Sequence, residues 1–252
     1  MFNGIGLLAF CVIFGVAMIG LFFGGKLPEN HKTEATQKTV QNVMTVVGIL
    51  SALVLGLLIA GTKTNYDTRS REVEQFAANL TLLDRELMHF QEETKDMRGL
   101  LRAFTARKIA LTWPTDRGVE PVMHDAETVQ MLDDIQARLR AWPPQTDVQR
   151  ESRANALQLT VEGQRTSRLL AVQQNSQTPA LFLVVVIFWV SMLLLSYAVF
   201  APFNATVVIA MLMCAISVAT AVNLIFDMDH PFVGFIRVSS VAMQQALDQM
   251  QP

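Results

Sequence analysis

Four apolar runs, Ile5 to Phe23, Val43 to Ala60, Ala180 to Phe200 and Ala205 to Phe226, contain no Asp, Glu, Lys or Arg. As helices rising about 1.5 Å per residue, each reaches roughly 27 to 33 Å, the thickness of a bilayer's hydrocarbon core. Lipid offers no partner to a free peptide group, so a lone spanning segment must close its hydrogen bonds within itself, as a helix does. The sequence therefore predicts an all-α integral membrane protein with four transmembrane helices. A long extramembrane, coiled-coil-like helical hairpin is expected between spans two and three. The expected division is a first transmembrane hairpin over 1–62, an extramembrane helical domain over 63–178, a second transmembrane hairpin over 179–228, and an interfacial amphipathic segment over 229–252.

Hydrophobic residues make up 51% of the chain, against 17% charged, which is too apolar for a soluble protein of this length. The net charge of -2 argues against a nucleic-acid partner. The first run is expected to be retained, because Met1, Phe2 and Asn3 supply no basic side chain and no small-x-small cleavage site precedes Lys26. Cys11 and Cys214 fall within spans and read as small apolar packing residues. Near the span ends, Lys63, Arg69, Arg71, Arg165, Arg168 and Arg237 lie on the domain side, and Lys26, Lys32 and Lys38 on the other. Basic residues concentrate on the cytoplasmic side of such proteins, so a multi-pass inner-membrane protein with its domain and both termini in the cytoplasm is expected.

No Gly or Pro interrupts the chain between Gly61 and Gly99. Two apolar seams there keep heptad spacing: Val73, Leu80, Leu87, Thr94, Leu101, and Phe76, Leu83, Phe90, Met97, Phe104, Leu111. A 3.5-residue period calls for helix-on-helix packing, and an unbroken helix over residues 40–111 would form a rod of about 108 Å. Trp113 to Pro121, with two prolines and Gly118, ends it. A second helix is expected to bury Thr128, Leu132, Ile135, Leu139 and Trp142 and to stop at Pro143. Thr146 and Gln149 have capping-box spacing and open a third helix, which runs through Ala154, Leu157, Val161 and Arg168 to a kink at Pro179. The arrangement expected is a hairpin standing on the bilayer with a shorter helix at its far end.

Catalytic signatures are missing: no phosphate-cradling glycine loop, HExxH, CxxC or GxSxG occurs. His31, His89, His124 and His230 are scattered, so neither a metal site nor a cofactor is expected, and the chain does not read as an enzyme. Two features stand above that background. Ser217, Thr220, Asn223 and Asp227 recur at three- and four-residue intervals on one face of the fourth span, as a pore lining or an interhelical hydrogen-bonding face would. Beyond them Asp229, His230, Pro231, Phe232, Gly234 and Arg237 gather at the membrane boundary. Ionisable groups there are functional candidates. They also read as a helix stop, with Phe232 and Phe235 dipping into the interface. Gly20 and Gly24 in the first span, and Gly48, Gly56 and Gly61 in or just after the second, permit close helix approach.

The second span running into TNYDTRSREVEQFAANLTLLDREL, the returning helix with Arg165 and Arg168, and above all the tail LIFDMDHPFVGFIRVSS resemble the bestrophin-like domain-of-unknown-function family of bacterial membrane proteins. The likeness covers nearly the whole chain. It implies a four-span helical protein related to bestrophins, which are oligomeric anion channels with a central pore. The family's basic residue after span two is matched by Arg69 and Arg71, and its closing acid-Pro-aromatic-Gly pattern by Asp227 or Asp229 with Pro231, Phe232 and Gly234. An acidic residue expected shortly before Asn79 is replaced by Ala77 and Ala78, and no acidic calcium clasp is found. The resemblance thus points to a homo-oligomeric channel in a lipid bilayer passing small inorganic ions, anions first. The alternative is a membrane-anchored sensor or scaffold that binds a partner or ligand through its helical domain.

Overall fold

Small residues set how the first span packs. In the computed structural model, which describes residues 4–26, 28, 33–89, 94–114, 119–123, 125–173, 180–233 and 236–250, every regular element is an α-helix. His31, Lys32, Phe90, Gly118, His124, Pro179, Gly234 and Phe235 lie outside the described residues. The chain divides into two compact units, Met1–Thr64 with Thr178–Asp229, and Asn65–Gln177 with His230–Pro252.

The first unit holds α1 (Gly4–Gly24), the first half of α2 (Glu34–Met88), α6 (Ala180–Phe200) and α7 (Ala205–Asp229). Among the described residues, these are the four helices long and apolar enough to cross a membrane. α1 buries Gly6, Ala9, Ile13, Ala17, Gly20, Leu21 and Gly24, a stripe at helical spacing. It runs parallel to α6, since Gly20 meets Leu195 and Ala198 while Gly24, one turn on, meets Val199. α7 completes this core with Met211, Ala215, Ala219, Val222 and Ile225. α2 is the exception. Its contact with α6 includes Gly48 against Leu193 and a 3.4 Å hydroxyl pair, Thr45 with Tyr197, but only 6% of its most apolar window is buried. Val43, Val46, Ile49, Leu50, Leu53 and Leu57 all stand exposed on a single copy.

The second unit corrects the expected rod. α2 stops at Met88, and α3 (Lys95–Thr112) starts after a reversal. Phe76 stacks edge-on to Phe104 with ring centroids 6.2 Å apart, Asp84 pairs with Arg98, and the Thr94 hydroxyl donates to the Leu87 carbonyl at 2.7 Å. Positions on α2 thus fall as their partners on α3 rise, and the two helices are antiparallel. Both seams close on each other: Val73, Phe76, Leu80, Leu83 and Leu87 are at most 3% exposed, and Met97, Leu101 and Phe104 at most 4%. Each such side chain gains about 1.5 to 3 kcal/mol from leaving water, which is why the chain folds back instead of exposing the stripe.

α4 (Ala126–Ala141) and α5 (Asp147–Gln173) finish a four-helix bundle. The Asp125 carboxylate caps α4 by accepting from the Thr128 amide at 3.2 Å, and Thr128, Leu132, Ile135 and Leu139 face inward. Thr146 and Gln149 form the reciprocal capping box at the start of α5. α5 returns antiparallel to α2, with Gly163 against Phe76 and Asn155 beside Glu86. Its buried face is Ser152, Ala156, Thr160, Gly163 and Leu170, which leaves Ala154, Val161 and Arg168 outside. The expected hairpin between spans two and three is present as α2 and α5, and α3 and α4 pack beside it along its length. α8 (Val241–Gln249) lies against α3 through Met243, Ala246 and the following Met250.

Candidate functional site

On α7, Ser217 and Thr220 are exposed and Asn223 is half-buried, so this polar line looks away from the chain's own core. Each hydroxyl donates to the carbonyl four residues back, Ser217 to Met213 and Thr220 to Ile216, both at 2.8 Å. Each oxygen keeps acceptor capacity toward whatever covers that face. Asp227 and Asp229 are different. They are 4% and 7% exposed at the C-terminal end of a helix, where the dipole disfavours negative charge. Buried carboxylates require partners, and neither of these lacks one. Among the small residues, an added Cβ at Gly56 or Gly61 meets nothing within 4 Å, in contrast to Gly20, Gly24 and Gly48.

In the second unit the segment after α7 is built into the domain. Val238 donates to the Pro231 carbonyl at 2.7 Å and Val233 to that of His230 at 3.0 Å, closing a compact loop. Two aromatic donors fix its far end on successive carbonyls. The Tyr66 hydroxyl donates to Arg237 at 2.9 Å, and the Trp113 indole N–H to Val238 at 2.8 Å. Phe232 is 7% exposed and meets Trp113 edge-on at 5.9 Å, so it packs into the domain core. His230 is half-buried, Pro231 buried and the Arg237 side chain exposed. Reading the sequence missed Tyr66 and Trp113. The available signal was that an aromatic with a polar tip, once buried, seeks an acceptor.

Charge inside the bundle is sparse and specific. Asp84 accepts from Arg98 at 2.9 and 3.2 Å, and this hydrogen bonding raises the Arg98 pKa. The acid expected near Asn79 is absent, and Ala77 there is buried. Lys108 is 3% exposed, with its ammonium donating to the Met123 carbonyl, next to the Arg107–Asp125–Glu127 ion pairs. Burial pulls its pKa down from 10.5 to about 8, against the opposing pull of Asp125. Below pH 8 the lysine is charged in both folded and unfolded chains, and the full cost of burying it is present. Between about pH 8 and 10.5 the folded chain sheds the proton first, so stability rises. The span of the rise is on the order of 3 kcal/mol. Thermal unfolding of the purified protein from pH 7 to 10 is expected to show it, and Lys108→Met to flatten it.

Comparison with known proteins places this geometry. A family model described as the Bestrophin-like domain matches residues 11–243. A crystal structure of a bacterial bestrophin homologue from Klebsiella pneumoniae aligns with a TM-score of 0.71 at 12% identity, over 97% of this chain and 96% of that one. A single-residue variant of that homologue aligns at 0.71 and 14% identity, over 99% and 98%. No curated protein matches the sequence.

Proposed function

Because the chain belongs to the bestrophin-like family, we propose that it is a homo-oligomeric membrane channel passing small inorganic ions, anions first. The family match over residues 11–243 carries this reading. The packing of the spans supports it: α2 is nearly bare within one chain, and none of the four apolar runs carries a charged residue, so an aqueous path needs several copies. The path is proposed to include the α7 face of Ser217, Thr220 and Asn223, with Asp227 at its end. Each hydroxyl is tied to its own helix and needs no partner helix, and by turning from the Met213 or Ile216 carbonyl it can donate to a passing anion. The excess of basic residues on the domain side supports a cytoplasmic domain in a cell's inner membrane.

Reconstitution in planar bilayers tests the activity. Unitary currents are expected, and their absence across salts, potentials and pH overturns the reading. In a variant lacking Cys11 and Cys214, cysteines at Thr220 and at Leu53 report the path. Modification by a charged thiol reagent is expected to block current through Thr220→Cys. Block through Leu53→Cys alone moves the path to α2.

A further inference from the structure

The outer face of α5 is built differently from the rest of the bundle surface. Val161 and Leu169 are 51% and 42% exposed, and Arg165 and Arg168 are exposed between them, forming one ridge at helical spacing. Together with Gln164 they line a shallow recess of about 310 Å³. No hydrogen bond or ion pair engages either arginine among the described residues. The recess therefore combines two uncommitted guanidinium groups with exposed aliphatic side chains, a composition suited to a protein partner carrying acids.

What fits it is on the same chain, at the same height. Contacts inside the bundle give the levels: Phe76 faces both Phe104 on α3 and Gly163 on α5, while Asp84 meets Arg98 and Glu86 meets Asn155. By these pairings Val161 is level with Arg102 and lies beside its neighbour Ala103, Arg165 is level with Ala106, and Leu169 with Ala110. Those three alanines and Gly99 are all exposed and form a low strip along α3. Beside the strip on α4 stand the acids Glu127 and Asp134. Glu127 is 56% exposed and held near α3 by Arg107, and the Gln164–Asp133 bond sets it level with the lower end of the α5 ridge. Asp134 is exposed and uncommitted among the described residues.

We propose that the α5 ridge of one copy docks onto the α3 strip and α4 acids of the next. This rests on the oligomeric reading above and names its contact in the helical domain. In a ring whose axis runs along the helical bundle, residues level within a chain are level between chains. Val161 and Leu169 then lie over Ala103 and Ala110, with Arg165 and Arg168 against Glu127 and Asp134. The two surfaces are different patches, so the contact is head-to-tail, and it gives a ring when the rotation from copy to copy closes.

Disulfide cross-linking in native membranes tests this, in the variant lacking Cys11 and Cys214. Leu169→Cys with Ala110→Cys in one chain is expected to give a covalent ladder on oxidation. Either cysteine alone gives none, and co-expressing the two single variants gives dimers only. Leu169→Cys with Gly99→Cys, offset by about 16 Å along the helix, is the control and gives none. Arg165→Glu with Arg168→Glu is expected to abolish the ladder. If light scattering shows an oligomer but the matched pair does not cross-link, this contact is wrong and the oligomeric reading stands. A monomer in both detergent and membranes removes both.

Discussion

Phe104→Ala lowers the stability of the helical domain by about 3 to 5 kcal/mol, the cost of a large cavity in a packed core. Phe104 is 1% exposed and Phe76, its edge-on partner, 2% exposed. Removing either ring leaves the other facing a void that a helix hairpin cannot close without moving α5, because Gly163 already lies against Phe76. Denaturant unfolding of the detergent-solubilised protein measures the loss. A double-mutant cycle with Phe76→Ala adds a sharper criterion. A folded-back α3 requires a coupling of about 0.5 to 1.5 kcal/mol between the two rings. In an extended rod they would lie 28 residues apart with no coupling, so additive losses would rule the hairpin out.

The hairpin also shows where sequence reasoning reached its limit. Heptad periodicity reports which side of a helix is buried, and it persisted through the reversal because Leu87, Thr94 and Leu101 keep the seven-residue step across the turn. No Gly or Pro marks that turn. The remaining cue was weak: Arg85 in the last turn of α2 and Asp96 in the first turn of α3 each suit the helix dipole at an end. Spans, caps and the inward face of α4 were readable because lipid thickness, the Thr146–Gln149 box and a four-residue apolar step are local signals. The tail was not. Asp227 and Asp229 look interfacial as letters, and only the tertiary structure shows both buried and Phe232 resting on Trp113. The outward ridge of α5 escaped for a related reason. The inward face there is made of Ser152, Ala156, Thr160 and Gly163, small or polar residues that carry no hydrophobic pattern.

Gly24→Val prevents α1 from seating against α6, and even Gly24→Ala is expected to cost about 3 kcal/mol, at the upper end of overpacking losses. The first added carbon would overlap the carbonyl oxygen of Val199 and lie 2.8 Å from its carbonyl carbon, and main-chain atoms within a helix have no rotamer to escape into. Gly20→Ala meets the Ala198 Cβ at 2.8 Å, a Leu195 methyl at 3.0 Å and the Leu195 carbonyl oxygen at 3.1 Å; only the methyl can turn aside, so α1 and α6 must also shift apart here, by less than at Gly24. Gly15 provides the counterpart. An added Cβ there meets nothing within 4 Å, and Ala is favoured over Gly inside a helix by about 1 kcal/mol, so Gly15→Ala leaves the single chain as stable or more so. Gly56→Ala separates two environments, because its position is equally open within one chain. If it keeps the thermal stability of the chain in detergent but dissociates the oligomer, α2 is buried at that level by a neighbouring copy. If it changes neither, that face of α2 meets lipid or water.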